Sequence, residues 1–131
     1  MIRVLTGAAA LALLGACASD PVRNVQTKME SLFQSSKGEP ALTAGLKQYE
    51  EGEYAGSAKN LRTAINQGLS NQDLVSAYKH LAFINCASSR ERQCRDEFRQ
   101  ALAIDPAMEL APAEAGHPVW GPLFRSLKAG R

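Results

Sequence analysis

Gly45-Leu46-Lys47-Gln48-Tyr49-Glu50-Glu51-Gly52-Glu53-Tyr54-Ala55-Gly56-Ser57-Ala58-Lys59-Asn60-Leu61-Arg62-Thr63-Ala64-Ile65 decides the fold of this 131-residue chain. Its apolar residues recur at three and four rather than at two, the spacing of helices and not of strands. Gly52 interrupts the pattern, because glycine is a poor helix former and readily takes the left-handed backbone of a tight turn. The stretch therefore reads as two helices, about Ala41 to Glu51 and Glu53 to Gln67, with Gly68 as the stop of the second. Small residues at Gly45, Ser57 and Ala64 let the two helices approach, and Tyr54, Leu61 and Ile65 fill the space between them.

The same hairpin recurs 37 residues further on, where Ala82, Cys94, Phe98, Ala101 and Leu102 take the places of Gly45, Ser57, Leu61, Ala64 and Ile65. Ser70 with Asp73, and Ser88 with Glu91, are capping-box-like starts for a third helix, about Asn71 to Cys86, and a fourth, about Ser89 to Ile104. Pro106 ends the fourth. Gly45, Gly52, Tyr54, Ser57, Leu61, Ala64 and Ile65, and their counterparts ending in Pro106, resemble two tetratricopeptide repeats covering roughly half the chain. The usual period is about 34 residues, and the connection from Gly68 to Asp73 accommodates the excess. Two places depart from the family pattern: Leu69 stands where the first repeat would end in proline, and Ser89 replaces the mid-hairpin glycine.

The expected fold class is all-α, two such hairpins followed by a capping helix. Frequent Ala, Leu, Glu, Gln, Lys and Arg and few aromatic residues favour helices in any case. Two stacked repeats leave an apolar flank that needs covering. Trp120, Leu123, Phe124 and Leu127 lie at i, i+3, i+4 and i+7, so a fifth helix over Pro118 to Lys128 would pack on the second hairpin. Arg125, Lys128 and Arg131 at its far end suit the helix dipole. The segment Ala107 to Gly116 reads as an ordered crossing loop pinned by Met108 and Leu110.

The N-terminus carries a different signal. Arg3, then Val4 to Leu14 almost without polarity, then Leu14-Gly15-Ala16-Cys17, is the three-part layout of an export signal. The apolar run is too short to span a bilayer, since Ser19 and Asp20 follow at once. Leu14-Gly15-Ala16-Cys17 resembles the bacterial lipobox, which implies a signal peptide over 1–16, acylation of Cys17 and a lipoprotein beginning there. Several acyl chains make a lasting anchor, at about 0.8 kcal/mol per buried methylene. Ala18 in place of an aspartate implies delivery to the outer membrane, facing the periplasm. Residues 17–40 then read as a lipidated tether, ending in the polar Ser35-Ser36-Lys37-Gly38-Glu39-Pro40. Within it Val25, Met29, Leu32 and Phe33 would share one face of a short amphipathic helix, though a tether with only transient helix fits equally. Residues 41–131 form the expected helical domain.

Little in the sequence points to chemistry. With 15 basic and 13 acidic residues and no long basic run, nucleic acid is not an expected partner. Cys86 and Cys94 flank the turn of the second hairpin. They are expected to pair as a disulfide in an oxidising compartment, the alternative being two unpaired cysteines in small buried positions. Their spacing is not a redox motif. His80 and His117, the only histidines, have no second ligand at helical spacing, so no metal is expected; His80 reads as a groove or packing residue and His117 as a cap beside Pro118. Glu50, Glu51 and Glu53 cluster at a hairpin corner without sign of a pocket that would make them a catalytic pair. No nucleophile elbow or phosphate loop occurs. Neither enzymatic activity, nor a cofactor, nor a small-molecule substrate is expected.

The candidate binding surface is the concave face formed by the first helix of each hairpin. The repeat register puts Leu42, Leu46 and Tyr49 on it from one hairpin and Lys79, His80 and Phe83 from the other. An apolar stripe with a basic edge suits a peptide or a partner helix, while burial of Leu46 and Phe83 in the core is the competing assignment. Trp120, the one tryptophan, is either core or an interface anchor. The chain is similar in layout to tetratricopeptide lipoproteins, and Ala113-Glu114-Ala115-Gly116-His117-Pro118-Val119-Trp120-Gly121-Pro122 looks like lipoproteins associated with type VI secretion. The resemblance implies a membrane-anchored adaptor for protein partners in an envelope secretion or assembly complex. The rival readings are a periplasmic regulator of a sensor or cell-wall enzyme, and a carrier or enzyme with a small-molecule pocket among the helices.

Overall fold

A computed structural model describes residues 36–130. Cys17 and the Val25, Met29, Leu32 and Phe33 face lie outside the described residues. Among the described residues, six helices and no strand make the domain all-α: α1 Glu39–Glu50, α2 Tyr54–Gln67, α3 Asn71–Ala87, α4 Glu91–Ile104, α5 Pro112–Ala115 and α6 Trp120–Ala129. None of the described helices is long and apolar enough to cross a membrane.

The first helix begins earlier than its apolar pattern indicates, so Ser36 to Pro40 belong to the folded unit and not to a tether. Pro40 falls in the first turn, where its missing N–H leaves no bond unmade. Gly38 is buried against the end of α2, its N–H donating to the Gly68 carbonyl at 3.0 Å and its own carbonyl accepting from Leu42 at 2.9 Å. A side chain there would collide with the Ala64 and Gly68 carbonyls.

α1 and α2 pack as an antiparallel hairpin. At Gly45 a Cβ would stand 2.9 Å from Leu61 Cγ, which explains the small residue. Buried Ser57 donates from Oγ to the Gly45 carbonyl at 2.7 Å, and Asn60 Nδ2 donates to Gln48 Oε1 at 2.7 Å.

α3 and α4 repeat this hairpin down to its turn. The Gly52 N–H donates to Tyr49 O at 3.1 Å and the Glu53 N–H to Gln48 O at 2.8 Å; 37 residues on, Ser89 donates to Cys86 O at 3.1 Å and Arg90 to Asn85 O at 2.8 Å. Gly52 has φ 80° and Ser89 φ 60°, so serine takes the left-handed place of the glycine. Ser70 caps α3, accepting the Asp73 N–H at 3.2 Å, as its sequence indicates. Ser88 and Glu91 do not form the corresponding cap. α4 starts at Glu91 behind Arg90, because Ser88 and Ser89 are spent in the turn.

Between the hairpins lies one core of Leu42, Leu61, Ala64, Ala77, Leu81 and Ile84. A second, formed by Phe83, Cys86, Cys94, Phe98, Ala101 and Leu102 with Ala82, is completed by Met108, Leu110 and Phe124 from the C-terminal segment. α3 feeds both, which is why its run from Leu81 to Cys86 is buried on every side. α6 covers the far flank of the second hairpin, with Phe124 edge-on to Phe98 at 5.3 Å. Met108 and Leu110 pin the crossing segment as expected, but that segment contains the short α5, and the last helix starts at Trp120 instead of Pro118.

Candidate functional site

Six aromatic rings run in contact along one side of the domain: Tyr54, Tyr49, His80, Phe83, Trp120 and His117. The order follows from the register. Tyr49 lies in the last turn of α1, Tyr54 opens α2, His80 and Phe83 lie one turn apart on α3, and Trp120 opens α6. Centroid distances are 5.6 Å from Tyr54 to Tyr49, 4.9 Å from Tyr49 to His80 and 5.8 Å from His80 to Phe83. Trp120 stacks on Phe83 at 4.5 Å, and His117 on Trp120 at 3.3 Å.

The six residues expected to form a binding groove divide along this track. Leu42 and Phe83 are core, 5% and 1% exposed, and neither can meet a partner without unfolding its surroundings. Lys79 is on the face but already engaged: its Nζ reaches Glu114 Oε1 at 2.8 Å and lies 5.7 Å from the Phe83 ring. Glu114 belongs to α5, its carboxylate also accepts the Ala111 N–H at 2.9 Å, and its carbonyl accepts Trp120 Nε1–H at 2.9 Å. The chain's own segment from Ala111 to Trp120 thus occupies the second-hairpin half of the face. Leu46, Tyr49 and His80 remain partly exposed at the other half, joined by Tyr54, which is 44% exposed.

Electrostatics differ between the two halves. Burial alone would raise the Glu114 carboxyl, but hydrogen bonds from Lys79 and the Ala111 N–H outweigh it and hold the group below its ordinary value. Burial lowers His80, against the opposing effects of its bond to Ser76 and of the carboxylates of Glu114 and Glu50. Its Nδ1 lies 2.7 Å from the Ser76 carbonyl, so the neutral ring carries its proton there and presents Nε2 as an acceptor. The Tyr49 phenol is raised by burial first and then by Tyr54 and Glu114. At the open end Glu51 pairs with Lys47 at 3.8 Å, whereas Glu50 and Glu53 have no ion-pair partner among the described residues.

Cys86 and Cys94 pair across the second hairpin, their Cα atoms 5.1 Å apart, and both are buried. An open cleft beside them is lined by Cys86, Ala87, Val119, Pro122 and Leu123, with Val119 51% exposed. Among the described residues no three His, Cys, Asp or Glu side chains converge as they would around a metal ion. Beside Pro118, His117 makes the capping contacts expected of it, Nδ1 accepting the Val119 N–H at 3.2 Å and its carbonyl the Gly121 N–H at 3.0 Å, while its ring also stacks on Trp120.

Sequence reasoning missed Glu114 and Tyr54 as members of the site. Tyr54 was visible only as a repeat position that fills space between helices, and no local signal marks Glu114, which meets Lys79 across 35 residues. Compared with known proteins, the chain matches no family model, no curated protein and no solved structure.

Proposed function

We propose that this chain is a lipid-anchored adaptor of the tetratricopeptide type, held through Cys17 at the periplasmic side of the outer membrane, where it helps to assemble or stabilise an envelope secretion complex. The observation that carries this reading is the duplicated hairpin. Two units with the same turn hydrogen bonds, 37 residues apart, contribute their first helices to one aromatic face, covered by the Ala111 to Trp120 segment at the second hairpin and open at the first. Such a face binds other polypeptides by laying side chains into a preformed groove. The paired cysteines are in keeping with an oxidising compartment. The lipobox-like Leu14-Gly15-Ala16-Cys17 supplies the anchor, which raises the adaptor's effective concentration at the membrane without a tight intrinsic contact. The Ala113 to Pro122 stretch, which looks like type VI lipoproteins, is the reason for favouring a secretion complex.

The test compares the full chain with a Cys17→Ala variant in cells. Mass spectrometry of the membrane fraction should find diacylglyceryl on Cys17, and affinity purification should recover a multiprotein envelope complex that the variant recovers poorly. A Cys17→Ala protein that stays membrane-bound and keeps its partners would overturn the anchored-adaptor reading.

A further inference from the structure

We infer that the open end of the aromatic face, built by Leu46, Tyr49, Tyr54 and His80, docks a partner-protein segment presenting an arginine or lysine beside an apolar residue. The inference rests on the adaptor reading and names the chemistry of its partner. The closed end of the same face is already occupied by polypeptide. There Glu114 meets Lys79 at 2.8 Å and Trp120 covers Phe83 at 4.5 Å, an acidic side chain next to an aromatic one. The open end has the same kind of floor with the opposite charge.

Its floor is the Tyr49 and Tyr54 ring pair, tilted by 51°, with His80 edge-on to Tyr49. Tyr54 is one of only two exposed large hydrophobic residues among those described. A guanidinium or ammonium is attracted by the negative faces of such rings, an attraction strengthened as water leaves. The neighbouring charge is acidic. Glu50 ends α1 close enough for His80 to respond to it, and Glu53 directly precedes Tyr54. No ion pair among the described residues neutralises Glu50 or Glu53, while the two nearby lysines, Lys47 and Lys79, pair with Glu51 and Glu114. His80 adds an acceptor at Nε2, since Nδ1 is used at Ser76. An apolar neighbour of the basic residue would lie along Leu46, which packs only partly into the core. A small anion has no comparable fit, because the carboxylates repel it, and among the described residues no three His, Cys, Asp or Glu side chains converge as they would around a metal ion.

The experiment places a photo-crosslinking phenylalanine at position 54 of the full chain in living cells, with a second at exposed position 92 on α4 as control. Crosslinked peptides are sequenced by mass spectrometry. The expected capture from position 54 contains an arginine or lysine next to an apolar residue, and the E50K/E53K double substitution lowers its yield at least fivefold. Both glutamates are exposed, so the same variant should melt as the parent does, which a thermal scan checks. A captured segment that is acidic or uncharged, or a yield indifferent to charge reversal, overturns the inference and leaves the adaptor reading standing. So does capture from position 92 with none from 54. No partner from either position, with no complex recovered by affinity purification, defeats the adaptor reading and this inference together.

Discussion

In the first hairpin the two helices are held by a hydrogen bond from Ser57 to the Gly45 carbonyl, and in the second by a disulfide from Cys94 to Cys86. Cys94 occupies the place of Ser57, and Cys86 that of Tyr49. The turns match in backbone bonding, yet their local cost differs. Gly52 takes its positive φ freely, whereas Ser89 adopts φ 60° with a side chain, at about 1 kcal/mol. Gln48 in the first hairpin accepts from Asn60; its counterpart Asn85 is 1% exposed, accepts from Arg90 Nε at 3.0 Å, and leaves Nδ2 without a partner among the described residues. An orphaned buried amide donor costs roughly 1 to 3 kcal/mol. The second hairpin therefore carries a less favourable turn, and the covalent strap offsets it. The strap also removes a tyrosine from the second hairpin's end, so the aromatic face opens only on the first.

The largest effects in both hairpins should appear at Leu61 and Phe98, equivalent positions that are both 0% exposed. Phe98→Ala is expected to cost about 3 to 5 kcal/mol and Leu61→Ala about 2 to 5, each through loss of burial and a cavity. Phe98 should be the more sensitive of the two, since it also loses edge contacts to Phe83 at 5.9 Å and Phe124 at 5.3 Å. Urea midpoints at constant m-value measure both, and equal losses would remove the distinction.

Cutting each strap is the next test. The Cys86→Ala/Cys94→Ala pair should lower stability by about 2 to 3 kcal/mol for so short a loop, and Ser57→Ala by about 1 kcal/mol. Thermal melts should rank them in that order, with midpoint shifts of roughly 10 to 20 °C and 4 to 8 °C. At the turns the sign reverses. Ser89→Gly is expected to stabilise by about 0.5 to 1 kcal/mol, while Gly52→Ala destabilises by about 1 kcal/mol. A Ser89→Gly protein no more stable than the parent would mean that the serine turn is not strained.

The smallest effect concerns His80, at the junction of the two hairpins. Its folded value lies below the ordinary 6.5 because burial disfavours the imidazolium, so under acid the unfolded chain binds a proton that the folded one resists. Stability is unaffected above the ordinary 6.5, falls as pH drops below it, and levels off once the folded ring is protonated as well. Glu114, held low by its hydrogen bonds despite burial, adds a further loss as acid protonates it, and Glu97, raised by burial, opposes that loss. His80→Phe should flatten the slope in that window. Denaturation midpoints at a series of pH values check this, and an unchanged slope assigns the effect elsewhere.

The hairpins were legible in the sequence because each rests on short-range rules. Gly45, Ser57, Leu61 and Ala64 report helix contact by their size and spacing, and the same residue sizes recur at the second hairpin. Cys86 and Cys94 flank one turn, so little geometry was needed to expect their pairing. Errors arose where composition stood in for contact. Ser36 to Pro40 look like a linker, but Gly38 is fixed by its bond to Gly68, thirty residues away in the chain. Ser88 resembles a cap, but the turn to Arg90 consumes it.

The sequence alone determined the helical class, the repeat offset of 37, the cysteine pair and the C-terminal helix that covers the second hairpin. These follow from periodicity and side-chain size, which act within a few turns of backbone. Tertiary structure alone decided which of Leu42, Leu46, Tyr49, Lys79, His80 and Phe83 face solvent. That outcome depends on Glu114 and Trp120 folding back over α3, an ion pair and a ring stack between segments 35 and 37 residues apart. Such contacts form only when the whole core is in place, and no local pattern encodes them.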